Sequence, residues 1–486
     1  MTINLNKSNL NRLLLLLILA GGVLVRTYRL DAPLADWHSW RQSDTAAVAR
    51  NFVKDDFNLL YPQSDSLLAL NEHQLDNPNR YFINEFPLYN AVVALFYRQF
   101  GVNVAIGRMV SIFMSMVGAV ALYGLVKLTL GLYPALFTLV YYLFLPYNIY
   151  YSRVFMPDPS FVALSILSLY LCVLWVKSQK DRYGWALMLI FATAMLIKPY
   201  AIFMAIPMFY WVFINWGNKV FRYKVAYFIA IGSFIPLALW RYHYALHPEG
   251  SFATTWLLNG GDIRFKGAFF RWLIFDRLNR LIFATGGFAL FISGLFTSHL
   301  KKNASLFFVW TLSVLLYMTI FAKGNVNHDY YQLPIVAPGV VLIAIGSMSL
   351  INLGKTKLQK LFNLSLVGML VVLSLALGWF EVRGFFNINN PAIVEAGQKV
   401  NELTPKDALV IAPYQGDPTF LYQTNRRGWP VGGNIDERIH DGATYYVTTS
   451  RDDEYNQLKV KYSLVFENDQ YSIIKLTKPV VSGAEP

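Results

Sequence analysis

Cysteine is nearly missing from this chain: Cys172 stands alone among 486 residues. That excludes an intramolecular disulfide, a cysteine-based zinc site and a redox pair. Charge is scarce as well, at 15% of residues against 55% hydrophobic, and the mean hydropathy is +0.37. This composition is too apolar for soluble domains of such length and suits a polytopic membrane protein. A net charge of +13 raises nucleic acid as a partner, but the Lys and Arg residues sit in short clusters between apolar runs. Membrane orientation explains them better, and no nucleic-acid partner is expected. Internal repeats and low-complexity tracts are absent apart from the polar ending Val480–Pro486, which is expected to fray.

What is present in abundance is apolar runs. At about 20 residues per crossing they predict about eleven transmembrane helices, near 10–27, 104–127, 132–151, 159–177, 183–198, 200–216, 223–243, 281–299, 304–322, 331–352 and 361–382. Lys7 and Arg12 before the first run resemble a signal peptide, yet no small-x-small cleavage site follows, so a retained anchor is expected. With the N-terminus cytoplasmic, the inner short loops hold Lys127, Lys177, Lys180, Arg182, Lys219, Arg222, Lys224, Lys301, Lys302, Lys355, Lys357 and Lys360. The opposite short loops hold little beyond Arg153, Lys198 and Lys323, an asymmetry that obeys the positive-inside rule. An odd number of spans then puts the tail outside, as expected for a multi-pass protein of the plasma (inner) membrane.

The expected division is a transmembrane part, 1–382, and an extracytoplasmic domain, 383–486. Two outer segments are too long to be simple connectors. Segment 28–103 predicts short helices at about Asp44 to Lys54 and Pro87 to Phe100; Leu88, Val92, Leu95, Phe96 and Phe100 recur at helical spacing, which suits an interfacial helix and equally a helix packed under a loop. Segment 244–280 reads as a flexible outer loop. The tail predicts a small α/β domain, with strands at Ala408–Ala412, Tyr445–Thr448, Ser463–Phe466 and Tyr471–Leu476 and helices at 391–403 and 417–424. It has no phosphate-binding glycine loop, metal-ligand spacing or nucleophile elbow.

Four polar stations flank the apolar runs: Arg41-Gln-Ser-Asp44, Asn84-Glu-Phe-Pro87, Arg153-Val-Phe-Met-Pro-Asp158 and Asn327-His-Asp-Tyr-Tyr-Gln-Leu-Pro334. Each has an ordinary explanation. Asp44 opens a predicted helix and suits an N-cap or first turn, Glu85 lies near a helix start, and Asp158 between two prolines suits a helix opening. His328 caps a loop or pairs with Asp329. Capping does not explain why all four fall on the outer face of the threaded topology.

These stations resemble the ordered signatures of the GT-C glycosyltransferases, in the branch of glycosyltransferase family 39, with the protein O-mannosyltransferases, the aminoarabinose transferase of lipid A and RgtA/B/C/D-like enzymes. The resemblance covers roughly residues 10–350. It rests on Asp44 in R-Q-S-D-T-A-A-V-A-R-N-F, Glu85 in N-E-F-P-L-Y, Asp158 in R-V-F-M-P-D-P and H-D-Y-Y-Q-L-P at 328–334. Two departures stand out: Asp44-Thr45 where the family often has Asp-Glu, and Phe86 where the aminoarabinose branch has lysine.

The resemblance implies a GT-C fold and transfer of a sugar from a polyprenyl-phosphate donor to a lipid, glycan or protein hydroxyl on the outer face. Asp44 is the expected general base of an inverting displacement, with Glu85 and Asp158 as further catalytic carboxylates. In such a displacement one carboxylate suffices, in contrast to the pair of a retaining glycosidase. Arg41, Arg153, Lys198, Arg241, Arg264 and Lys323 are candidates for the donor phosphate, although interfacial snorkelling explains any one of them. Tyr330, Tyr331 and Gln332 are expected at the acceptor or sugar pocket. Glu85, Asp158 and His328 are ligand types suited to a divalent cation, Mg, Mn or Zn. A flippase of lipid-linked sugars would instead show paired repeats and midplane charges, and a non-catalytic assembly subunit is a further alternative.

Overall fold

The computed structural model describes residues 7–69, 71–252 and 254–479; the ending from Val480 lies outside them. The chain divides into two compact units. One comprises the described residues of Met1–Leu30, Arg108–Tyr242 and Thr254–Phe385; the other those of Asp31–Gly107, His243–Ala253 and Phe386–Pro486. The first long outer segment thus belongs with the tail.

The first unit is helical. Six helices among the described residues are long and apolar enough to cross a bilayer, and the pair Gly267–Ile282 and Ala284–Ser298, meeting at 117°, makes a seventh if taken as one span. Shorter apolar helices, Leu132–Phe144 and Ser305–Ile320, accompany them. The run expected at 132–151 is broken because Pro146 lacks an amide hydrogen: one helix ends at Phe144 and Pro146–Tyr151 starts another. Small residues let helices approach. A Cβ on Gly294 would collide with the carbonyl oxygen of Leu342, and one on Gly346 with that of Leu290, so helices Ala284–Ser298 and Val336–Asn352 pack backbone to backbone. The segment expected as a flexible loop, 244–280, is largely helical, with short turns at Trp256–Asn259 and Gly267–Arg271 and a π-helical stretch at Trp272–Ile282.

The second unit is built on a five-stranded sheet. Strands β1 (Leu409–Ile411), β2 (Arg427–Trp429), β3 (Ala443–Thr448), β4 (Tyr462–Glu467) and β5 (Ser472–Pro479) lie in the order β2-β1-β3-β5-β4. β1 pairs in parallel with β2 and β3, while β5 is antiparallel to both β3 and β4. Helices Pro391–Leu403 and Thr419–Thr424 pack on one face, where Ile393, Val400, Phe420 and Leu421 meet Val410, Val447 and Ile473. The outer segment covers the β2 edge: Leu67 N donates to Gly428 O at 2.8 Å, and Gly428 N donates to Asp65 O at 3.0 Å. That pairing blunts an edge which would otherwise invite another strand. Gly428 has φ +151, and a Cβ there would collide with the Val410 carbonyl, so only glycine fits.

Helix Ser39–Lys54 begins five residues before the expected start, and twelve of its residues, including Ser43, Asp44 and Thr45, are buried. It packs through Val48 and Phe52 onto Phe82, Ala91 and Ala94, the last two from helix Leu88–Phe100. The latter leaves Leu95, Phe96 and Phe100 exposed.

Candidate functional site

In the second unit, each residue of Arg41-Gln-Ser-Asp44 has a defined environment. Because the helix opens at Ser39 with His38 as its N-cap, Asp44 falls beyond the first turn. The capping explanation for Asp44 therefore fails, as its carboxylate is not at the exposed amides of a helix start. Its side chain is 4% exposed. Burial pushes the carboxyl up to about 7, opposed by the Arg41 guanidinium and a Trp40 hydrogen bond and reinforced by the like charges of Asp417 and Asp65. Arg41 is ion-paired with Glu85. Glu85 is likewise not a cap: Pro87 holds that position for Leu88–Phe100, with no side-chain capping bond. Gln42 Nε2 donates to Asp36 Oδ1 at 2.6 Å, and Asn90 Nδ2 donates to the Thr45 carbonyl at 2.7 Å, joining the two helices of the segment.

In the first unit, the structure brings Asp158 and Lys198 together, with Nζ to Oδ1 at 3.5 Å, both nearly fully buried. Asp158 is the first residue of helix Asp158–Ser178, whose N-cap is Pro157 without a side-chain cap. Its carboxylate serves the lysine instead. Lys198 is the C-cap of the following helix, Asp181–Ile197, and lies 5.4 Å from the Tyr331 ring centroid and 5.9 Å from that of Tyr330, within range for cation–π attraction. His328 packs its ring against Trp256, Tyr330 and Tyr331. Beside them an apolar cavity is lined by Phe161, Ile166, Tyr200, Phe203, Trp310 and Tyr317.

Other expected residues are placed differently. Arg153 is buried and its Nη2 donates to the Arg29 carbonyl at 2.6 Å. Gln332 is buried and donates to the Asn325 carbonyl at 2.7 Å. Arg264 Nε donates to the Thr319 carbonyl at 2.8 Å. Lys323 is half-buried with its stem against Gly260, and Arg241 is exposed near the end of helix Lys224–Leu246. Among the described residues no group of three or more His, Cys, Asp or Glu side chains is arranged to hold a metal ion. Glu85 has Arg41 as partner, and His328 packs against the rings of Trp256, Tyr330 and Tyr331.

Two features escaped the sequence reading. Asp329 pairs with Arg277 at 2.8 Å, while Tyr147 donates to its carbonyl at 2.6 Å. Arg277 sits 4.5 Å from the Trp272 centroid on the π-helical stretch. Asp329 lies within the station Asn327–Pro334, but nothing local in the sequence marks Arg277 as its partner. The second feature is Arg50, buried and ion-paired with Asp65.

Residues 79–240 match the family described as dolichyl-phosphate-mannose-protein mannosyltransferase. No curated protein matches the chain in sequence. Among solved structures, ArnT from Cupriavidus metallidurans bound to undecaprenyl phosphate superposes with a TM-score of 0.65 at 14% identity, over 97% of this chain and 99% of that one. The oligosaccharyltransferase of Archaeoglobus fulgidus in complex with Zn and sulfate gives 0.61 at 11% identity, over 92% and 71%. The same organism's AglB, with an inhibitory peptide and a dolichol-phosphate, gives 0.56 at 8% identity, over 92% and 72%. The chain is thus a polytopic helical membrane protein with the GT-C fold shared by these structures, carrying a small C-terminal sheet domain.

Proposed function

We propose that the protein is a membrane glycosyltransferase that moves a sugar from a polyprenyl-phosphate donor to a hydroxyl of a lipid, glycan or protein on the extracytoplasmic face. The observation that carries the reading is Asp44: a buried carboxyl, raised to about 7 by burial, in a helix beyond its capping turn. A base poised near neutral pH is what deprotonation of a hydroxyl during attack requires. The shared fold supports the donor class, since ArnT is seen with undecaprenyl phosphate and AglB with a dolichol-phosphate.

In the proposed step the acceptor oxygen attacks the anomeric carbon with inversion, its proton passes to the Asp44 carboxylate, and the anomeric C–O bond to phosphate breaks. The bonding pair stays on the departing polyprenyl phosphate. That leaving group needs charge compensation rather than a proton. Arg41 and Glu85 form the ion pair one turn before the base. The test is transfer of label from a radiolabelled polyprenyl-phosphate sugar to membrane acceptors by wild type and Asp44→Asn. The expected result is a loss of about 100-fold or more in kcat with the folded protein intact; near-normal transfer by the variant would remove Asp44 from its role.

A further inference from the structure

The tail has no chemistry of its own in its sequence, yet it reaches the helix that carries Asp44 at several points. Arg50, on that helix and 5% exposed, is ion-paired with Asp65. Its guanidinium lies 4.2 Å from the ring centroid of Tyr422, and Nη1 donates to the Tyr422 carbonyl at 3.2 Å. Asn51 Nδ2 donates to the other oxygen of Asp65 at 3.1 Å. About two turns from Arg50, next to the base, Ser43 Oγ lies 3.4 Å from Thr419 Oγ1, and Thr419 N donates to Asp417 Oδ1 at 2.8 Å. Gln423 Nε2 donates to the Leu34 carbonyl at 3.0 Å, just ahead of the helix. A planar guanidinium that is stacked, ion-paired and hydrogen-bonded at once fixes helix rotation and height better than apolar contact does.

We propose that the C-terminal domain is a positioning element for the Asp44 helix, acting through the clamp formed by Arg50, Asp65 and Tyr422. The inference rests on Asp44 being the base. Asp65 and Asp417, both held at this junction, raise the proton affinity of Asp44, while Arg41 opposes them. Loosening the clamp admits water and moves the two acids away, and both effects lower the pH at which Asp44 ionises.

The experiment compares wild type with Tyr422→Ala, Tyr422→Phe and Arg50→Lys as full-length proteins in detergent. It measures kcat, donor KM, the pH–rate midpoint and hydrogen–deuterium exchange across Ser39–Lys54. For Tyr422→Ala the expected result is kcat down at least tenfold, donor KM within threefold, a lower midpoint and faster exchange in that helix. Tyr422→Phe, which keeps the ring and the carbonyl, restores most of kcat, and Arg50→Lys falls between them. An unchanged midpoint and unchanged exchange in Tyr422→Ala overturns the proposal: with a fall in kcat that pattern is a loss of folded protein alone, and without one the ring does not hold the helix. If wild type transfers no sugar, the glycosyltransferase reading fails, whereas exchange still decides whether the tail holds the helix.

Discussion

Asp44 carries both a kinetic and a stability signature. Its carboxyl rises from the ordinary value of 3.8 to about 7, chiefly through burial. As the base it must be ionised, so kcat/KM is predicted to rise with pH through a midpoint near 7 and then level, read from a pH–rate profile. Folding carries the opposite dependence. The folded state holds this proton more tightly than the unfolded state, so its contribution to stability is greatest below about pH 4 and is lost as pH rises towards 7. Each unit of raised pKa corresponds to about 1.4 kcal/mol. Asp44→Asn is therefore predicted to raise Tm relative to wild type more at pH 8 than at pH 4. The sequence displayed the residue but misplaced its surroundings: with Asp44 read as opening a helix, a cap sufficed. The first turn runs through Trp40 and Arg41, and His38 takes the cap in a left-handed conformation (φ 55°). Nor does local sequence pair Arg41 with Glu85 or Arg50 with Asp65, contacts made across the fold of the segment.

At the scale of elements, strong periodicity was legible and weak periodicity was not. Helix Pro391–Leu403 follows its expected bounds, and four of the five strands lie near the expected runs. Strand β2 was missed because it has three residues, one of them glycine, and is identified only by pairing with β1 and Asp65. Helices Ile435–His440 and Asp453–Lys461 are short and rich in charge, without an apolar stripe to announce them. Segment 244–280 hid its helices behind glycines and scattered charge. In the membrane part, glycines show where helices must touch. Gly294→Leu is predicted to force helices Ala284–Ser298 and Val336–Asn352 apart, at a cost of roughly 1–3 kcal/mol or more, seen as a lower Tm in detergent. Gly368→Leu, where a Cβ meets no neighbour, is the matched control and should leave Tm close to wild type.

For the whole molecule, the basic loops predict an orientation, and the scarcity of cysteine makes it measurable. Cys172 is the only thiol in the chain and is buried, so Cys172→Ser supplies a clean background. A cysteine replacing Asp469 is predicted to react with a membrane-impermeant maleimide added outside cells, whereas one replacing Lys301 should react only after permeabilisation. Reversed labelling would place the tail, and Asp44 with it in the same unit, on the cytoplasmic side. The most direct measurement of the central claim uses purified protein in liposomes with a labelled polyprenyl-phosphate sugar and a membrane extract as acceptor source. The account predicts that label leaves the donor for a new product while polyprenyl phosphate accumulates, and that Asp44→Asn abolishes both. Label that crosses the bilayer on an intact donor, with no product formed, would contradict it and identify a transporter.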